Sequence, residues 1–304
     1  MADGQFISGT THPLSASAAG TGSASSPSPQ YQRLEVRLLG RIQASWRGAP
    51  VQPESSAAVA LLAILALRKG PCSRDLLAAA LFPDGGPKSS AWLRQALWQL
   101  KRAFGTGADA VLDASPDSVS IRPDVDLEVD AAVFEAILRE RPPRLEDAVA
   151  LYQGDLASGI DLECFARERE RLADLYEDAL ADLGARCLRR GDLDCARDAA
   201  LNLLERDPLR EEGHATLIEV YGRTGSRSQV NRQYRRLRKL LAAELGVEPL
   251  AETEIAYLAA LTRSTARSAA RAMMVVRDGA GFDAAVYARR IEAQVGDGTD
   301  GLPS

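Results

Sequence analysis

The sequence SSAWLRQALWQLKRAF at residues 89–104 decides how the first half of the chain folds. Its apolar side chains recur at helical spacing, which predicts a helix from Ser89 to Phe104 with one buried face. That face carries Leu93, Leu97, Leu100 and Phe104. The opposite face is polar and basic apart from one tryptophan, and it carries Arg94, Gln95, Trp98, Gln99, Lys101 and Arg102.

The charge of this helix has a single sign. Between Asp84 and Asp109 every charged residue is basic. The whole chain has a net charge of −5, but residues 31–123 hold twelve basic and seven acidic residues, a net charge of +5. A basic surface confined to one part of a chain favours nucleic acid as the partner of that part.

The residue types on the exposed face suit contacts with DNA. Arginine and glutamine form paired hydrogen bonds with guanine and adenine edges, whereas lysine more often neutralises phosphate. Ser89 and Ser90 are expected to cap the helix and leave its first amides for a phosphate. The simpler interpretation is an ordinary solvated helix face, and for Trp98 it is packing against the hairpin that follows.

The flanking sequence favours a winged helix. One helix is predicted after a cap at Ser55 or Ser56, ended by Gly70, and a second runs from Arg74 to Leu81. Two short runs around the turn at residues 115–118 predict a hairpin, which would be the wing. A small amino-terminal sheet is predicted from runs at residues 34–39, 42–46 and 51–52.

The second half is predicted to be helical from Leu127 to Leu261, with an internal repeat. Gly191-Asp192 and Gly225-Ser226 lie 34 residues apart, and apolar residues such as Leu203 and Leu237 match at the same offset. This is the period of tetratricopeptide repeats, which predicts two to three helix pairs with a concave surface for a protein or peptide.

The expected fold is therefore mostly α: a winged-helix DNA-binding domain with a small β-sheet and a wing, then an all-α tetratricopeptide-like domain. We expect a disordered tail at residues 1–30, the winged helix at 31–123 and the helical domain at 124–262. Residues 263–304 are expected to form a largely disordered tail with one possible helix at 282–295.

Several classes of protein are excluded by composition and spacing. The longest apolar run, Ala57 to Leu67, is much shorter than the about 20 residues that cross a bilayer, and residues 1–30 lack the layout of a secretory signal, so we expect a cytoplasmic protein without a membrane partner. The segment Gly85-Gly86-Pro87-Lys88-Ser89 lacks the spacing of a nucleotide-binding loop. Asp161 and Glu163 have no oriented base or nucleophile beside them, so no enzyme is expected.

The four cysteines and two histidines predict neither a metal site nor a cofactor. No two cysteines form a C-x-x-C pair, so Cys72, Cys164, Cys187 and Cys195 are expected to be free thiols. His214 is expected to pack in the core. The basic cluster at residues 232–239 is expected to be the solvated side of an amphipathic helix rather than a second DNA contact.

Two sets of motifs resemble known families. Residues 34–123 resemble the winged-helix domain of OmpR-type regulators, and residues 93–104 resemble the L-R-Q-A-L-x-x-L-R-R-A-L helix of one branch. The second domain resembles a bacterial transcriptional activator domain through Asp155-Leu156, Glu168-Arg169-Glu170-Arg171-Leu172, Asp207-Pro208-Leu209-Arg210-Glu211-Glu212, Tyr234-Arg235-Arg236-Leu237-Arg238 and Glu244-Leu245-Gly246-Val247-Glu248-Pro249.

Together these motifs resemble the SARP/AfsR family of transcriptional activators over residues 34–262. The resemblance implies a winged helix that binds direct repeats near promoters, as a head-to-tail pair of protomers, while the second domain supports it and RNA polymerase is recruited. Trp98 departs from the small or polar residue common there, and Phe165 replaces a usual tryptophan. The rival hypothesis is a tetratricopeptide-like interaction module whose winged helix no longer binds DNA.

Overall fold

A four-stranded sheet opens the part of the chain described by the computed structural model, which covers residues 32–68 and 70–278. Strands β1 (Arg33–Arg37), β2 (Gln43–Trp46) and β3 (Ala49–Val51) form an antiparallel meander where the sequence predicts a small sheet. A later strand, β7 (Asp126–Val129), pairs with β1 in parallel, so the strand order is β3-β2-β1-β7.

Strand β7 corrects the prediction that the chain is helical from Leu127. The strand has only four residues. It pairs with residues of β1 that lie 93 positions earlier in the chain, as Leu127 does with Leu34. Such pairing gains its stability from distant groups, so local periodicity does not reveal it. The strand lies after residue 123, the predicted end of the winged helix. It brings the start of the helical part against the first sheet.

Three helices follow, α1 (Ser56–Leu67), α2 (Arg74–Leu81) and α3 (Ser89–Phe104). Helices α2 and α3 have the predicted bounds, and α1 begins after the predicted cap and ends at Leu67, before Gly70. Ser55 caps α1 by accepting a hydrogen bond from the Ala58 amide at 3.2 Å. Ser73 caps α2 in the same way through the Asp75 amide.

The predicted wing is present behind α3. After the short helix α4 (Ala108–Val111), strands β5 (Leu112–Ala114) and β6 (Ser118–Ile121) form a hairpin. Strand β4 (Cys72–Ser73) pairs with β6 and completes a three-stranded sheet. The start of α2 is thereby joined to the wing.

The second part contains seven helices in the described residues, and its helical-repeat character is confirmed. Gly191 and Gly225 both end helices in the left-handed conformation, with φ of 78° and 80°. The 34-residue offset also relates buried Leu203 to buried Leu237. The helices are α5 (Asp130–Arg139), α6 (Leu145–Leu151), α7 (Glu163–Arg190), α8 (Leu193–Arg206), α9 (Glu211–Thr224), α10 (Arg227–Glu244) and α11 (Ala251–Asp278).

Helix α11 corrects the predicted start of the disordered tail at residue 263. The helix continues through 263–278, and Ser264 is fully buried beyond the predicted end of the domain. The alanine and arginine content that suggested a tail is also compatible with a long helix that packs on α9. The predicted tail at 1–30 and the predicted helix at 282–295 lie outside the described residues.

A disulfide joins Cys187 to Cys195, contrary to the expectation of four free thiols. The two cysteines lie in the last turn of α7 and the first turn of α8. Gly191 reverses the chain between them and brings their Cα atoms to 5.9 Å, a distance that a disulfide spans. Sequence spacing misses this pair because the helix hairpin, not the chain, makes the residues neighbours.

The sheet and the helical part share backbone hydrogen bonds. The Gly40 amide donates to the Asp155 carbonyl at 3.1 Å, and the Ala157 amide donates to the Leu38 carbonyl at 2.8 Å. The buried Asp130 carboxylate accepts from the amides of Leu38 and Leu39 at 2.7 and 3.0 Å. One apolar core runs through both parts. None of the helices described combines the length and the apolar character needed to span a membrane.

Candidate nucleic-acid interface

The apolar face of α3 fixes which side chains the helix presents outward. Leu93, Leu97, Leu100 and Phe104 are all buried, as predicted, and the helix packs against α1 and α2. A helix held by this stripe cannot rotate without exposing it to water. The polar face is therefore oriented by the core rather than by its own contacts.

The outward face carries a ridge of three side chains one turn apart. Arg94, Trp98 and Arg102 are exposed, and Trp98 keeps 52% of its surface accessible. The Arg102 guanidinium lies 5.3 Å from the centre of the Trp98 ring, within the range of a cation–π contact. Trp98 is thus stacked under Arg102 and open to solvent.

Two predicted site residues on this helix are fully available. Arg94 and Gln95 are exposed, and within residues 32–68 and 70–278 neither side chain has a hydrogen bond or ion pair. Arg102 also approaches the Glu54 carboxylate at 3.9 Å, and Lys101 approaches the Asp109 carboxylate at 3.4 Å. Exposed pairs of this kind are weak and exchange readily for another anion.

Gln99 differs from the other predicted site residues because it is engaged inside the protein. Its side-chain oxygen accepts a hydrogen bond from the Ser55 hydroxyl, and the same hydroxyl oxygen caps α1. Gln99 is half-buried. The residue joins α3 to the start of α1, so its placement indicates a positioning role.

The serines at the start of α3 do not cap it, contrary to prediction. Residues 86–88 form a tight 3₁₀ turn that runs into the helix, so the cap position falls on Lys88, with helical backbone angles. A capping side chain needs an extended backbone at that position, which this turn excludes. The Ser89 hydroxyl instead donates to the Gly86 carbonyl at 2.8 Å, and Ser90 is exposed.

The wing is anchored by an arginine that the sequence did not single out. Arg74, the first residue of α2, donates from Nε to the Ser115 carbonyl in the wing turn at 2.8 Å. The wing itself carries Asp113 and Asp117, so its tip brings little positive charge. Nothing in the sequence alone identified the partners Glu54 and Asp109 of α3.

The motifs of the second domain hold its first loop in place. Arg169 donates to the carbonyls of Leu156 and Ile160 at 2.9 and 2.8 Å. Arg206 pairs with the Asp155 carboxylate at 2.6 Å. Its guanidinium lies 5.5 Å from each ring of a stacked tyrosine pair, Tyr152 and Tyr176. These residues therefore fix the loop that bonds to the first sheet.

His214 is buried in the repeat, as the sequence predicts. Its Nε2 donates to the Pro208 carbonyl at 3.0 Å, and its Nδ1 accepts from the Gln233 amide at 2.8 Å, so both ring nitrogens are used by the neutral form. Burial lowers its pKa below the ordinary value. No cluster suited to a metal ion occurs in the part of the chain that the structure describes.

Comparison with known proteins agrees with this architecture. Residues 129–261 match the family described as bacterial transcriptional activator domain. The solved structure of Mycobacterium tuberculosis EmbR in complex with low affinity phosphopeptide has a similar fold, with a TM-score of 0.60 and 23% identity over 81% of this chain and 71% of that chain. No curated protein sequence matches the chain.

The segment that matches this family follows the winged helix, so the described part of the chain combines a winged helix with a bacterial transcriptional activator domain.

Proposed function

We propose that the protein binds promoter DNA by placing α3 in the major groove. The observation that carries this proposal is the outward ridge of Arg94, Trp98 and Arg102, which is exposed and has no carboxylate of its own helix beside it. An α-helix fits the major groove, where base edges present distinct hydrogen-bonding patterns. A cationic face without acidic residues is also what phosphate attraction requires.

We assign the side chains to two roles according to whether they have partners within the protein. Arg94 and Gln95 have no competing partner among the described residues, so they are assigned to base edges. Trp98 offers an apolar surface to a thymine methyl group or a sugar. Phosphate contacts are assigned to the remaining predicted residues, Ser89, Ser90, Lys101 and Arg102, while Gln99 acts by positioning the helix.

We further propose that two protomers occupy direct repeats near a promoter in the cytoplasm, and that the helical domain contacts RNA polymerase. The support is the set of backbone hydrogen bonds that joins the winged helix to the helical domain. Amide–carbonyl bonds from Gly40 and Ala157 couple the winged helix to the activator domain. An activator that is attached in this way can hold the polymerase at a defined place beside its DNA site.

The test is binding of the purified chain to double-stranded DNA from its own promoter region, measured by fluorescence anisotropy over a series of salt concentrations. Affinity should fall steeply as salt rises, because each phosphate contact releases counterions. Arg94→Ala should weaken binding to the specific site by ~1–3 kcal/mol. Arg189→Ala, an exposed arginine on α7 without an ion pair in the described residues, is the matched control and should leave binding unchanged.

The rival hypothesis, an interaction module that has lost DNA binding, makes the opposite prediction. Under that hypothesis the chain shows no binding at low salt, or Arg94→Ala and Arg189→Ala behave alike. Either result would overturn the assignment of α3 as the DNA-reading helix. In that case the activator domain would still need a protein partner.

A further inference from the structure

The segment that leads into α11, together with the first two turns of that helix, carries more exposed large apolar side chains than any other part of the described chain. Five of the nine large apolar side chains that are exposed lie between Leu245 and Leu258. On α11 itself, Ile255 and Leu258 are 67% and 55% accessible. A concentration of exposed aliphatic side chains of this kind marks an interaction surface.

These side chains lie opposite the face by which α11 is held. Thr253, Ala260 and Ser264 are buried where the helix packs on α9 and α10. At about 100° per residue, the opposite side of the helix forms one stripe. Its members are all exposed and uncharged: Ala251, Ile255, Leu258, Thr262 and Ala266.

The charges that border the stripe change sign along the helix. Glu252 and Glu254 precede Leu258, whereas Arg263 follows it, and all three are exposed. A helix that is acidic in its first half and basic in its second is complementary to a reversed copy of itself. Antiparallel pairing also opposes the two helix dipoles.

The positions of the charges fix where two such helices would cross. Glu252 and Arg263 lie on the same flank of the stripe, and in a two-fold antiparallel pair equivalent flanks face each other. Contact between Glu252 of one copy and Arg263 of the other places the crossing beside Leu258. Ile255 and Leu258 of both copies are then buried together. Arg263 can share its guanidinium with Glu219 of its own chain, with which it pairs.

We propose that the outer face of α11 is a homodimer interface, formed by antiparallel contact with the α11 of a second copy and centred on Leu258. The contact is isologous, unlike the head-to-tail order proposed on direct repeats. It joins protomers in the absence of DNA. DNA binding by α3 and dimerisation through α11 can therefore fail independently of each other.

Site-specific cross-linking of the full chain tests both the contact and its direction. In a Cys164→Ser background, which removes the exposed free thiol, Leu258→Cys should cross-link between copies with a short bifunctional maleimide. Ala266→Cys should not, because in an antiparallel pair crossing beside Leu258 the two thiols lie about 25 Å apart along the axis. Equal cross-linking at Leu258 and Ala266 would indicate a parallel pair and overturn the proposal.

Analytical ultracentrifugation up to about 100 µM supplies the second measurement, since modest interfaces associate in that range. The wild-type chain should dimerise, and Ile255→Glu should raise the dissociation constant at least tenfold. Leu201→Glu, at an exposed apolar position on α8, is the matched control and should leave dimerisation unchanged. Circular dichroism of each variant verifies that the fold is retained.

Three further results would overturn the proposal. A wild-type chain that stays monomeric at every concentration contradicts a second copy as the occupant of the face. Equal loss of association in Ile255→Glu and Leu201→Glu shows that α11 is not the specific surface. A monomer destabilised by deletion of residues 279–304 would instead assign the face to that segment of the same chain.

Discussion

The guanidinium of Arg102 is stacked on the ring of Trp98, 5.3 Å from its centre, in the middle of the outward face of α3. The cation therefore holds the Trp98 ring in place on the face that we propose enters the major groove. We expect Trp98→Ala to weaken binding to the specific DNA site by ~1–2 kcal/mol, with little change on unrelated DNA. Competition binding with specific and non-specific duplexes measures this ratio.

A variant that keeps the charge separates the two parts of this pair. Arg102→Lys retains the phosphate attraction but loses the planar stack, so it should keep the salt dependence and lose part of the specificity. Trp98→Phe should fall between wild type and Trp98→Ala. If Trp98→Ala lowers affinity equally for all sequences, the ring has no role in base recognition.

The hydrogen bond between Ser55 and Gln99 predicts an effect on stability rather than on DNA reading. Gln99→Ala should lower the free energy of unfolding by ~1 kcal/mol, because it removes a half-buried acceptor. Ser55→Ala should cost about 1–2 kcal/mol, since it also removes the cap of α1. Urea denaturation measures both changes.

Gln95→Ala is the matched control for Gln99→Ala. Both are glutamines on α3, but Gln95 is exposed and has no partner in the described residues. Its replacement should leave stability unchanged and weaken DNA binding, the reverse of Gln99→Ala. The same pattern in both variants would contradict the division of roles.

Buried His214 predicts a loss of stability in mild acid. Because burial holds its pKa below the ordinary value of about 6.5, the unfolded chain takes up a proton at a pH where the folded chain does not. Stability is thus fully present above about pH 6.5 and is lost as pH falls towards the folded-state pKa, by up to about 1.4 kcal/mol per pH unit.

Thermal unfolding at about pH 7.5 and about pH 5.5 measures this effect. His214→Gln does not titrate, so its stability should depend less on pH over that interval, although it is lower at neutral pH. The carboxylates titrate alike in both proteins and cancel in the comparison. Identical pH dependence in both proteins would show that His214 takes up its proton at the same pH in the folded and the unfolded chain, and would contradict the prediction.

The close approach of α9 and α11 at Gly222 predicts a third stability effect. A methyl group at Gly222 would lie 2.6 Å from the Cβ atom and 2.8 Å from the Cα atom of Ala260. Gly222→Ala should therefore destabilise the repeat by about 1–3 kcal/mol through overpacking. Ala260→Gly in the same chain should restore only part of the loss, because the backbone contact remains.

Gly184→Ala is the control, since its methyl group would meet only ordinary contacts of 3.4 Å or more with Thr216 and Ala196. It should leave stability unchanged or raise it slightly, because alanine favours a helix interior. Calorimetric unfolding of the three variants measures the order. Gly222→Ala as stable as Gly184→Ala would mean that α11 can move away from α9 at little cost.

Local sequence rules predicted the winged helix well and its contacts less well. The bounds of α2 and α3 follow from caps and from apolar periodicity, both of which are encoded within a few residues. The same periodicity predicted the buried and exposed faces of α3. It did not separate Gln99 from Gln95, because only the folded chain brings Ser55 beside one of them.

Most of the features that sequence reasoning missed depend on how separate elements pack together. Strand β7 exists because β1 offers it an edge, and the disulfide forms because a helix hairpin aligns Cys187 with Cys195. The continuation of α11 depends on burial of Ser264 in the repeat. The serine cap of α3 failed for a local reason, since the tight turn ending at Lys88 leaves no extended residue before the helix.

The backbone hydrogen bonds between the winged helix and the helical domain have a consequence for promoter architecture. Because Gly40 and Ala157 form these bonds within one continuous core, the winged helix and the helical domain share a fixed frame of reference. On DNA, the position of the operator would then set on which side of the double helix the helical domain meets the polymerase. Shifting an operator by about five base pairs, which is half a helical turn, would place that domain on the opposite side of the double helix. Shifting it by a full turn would leave the domain on the original side.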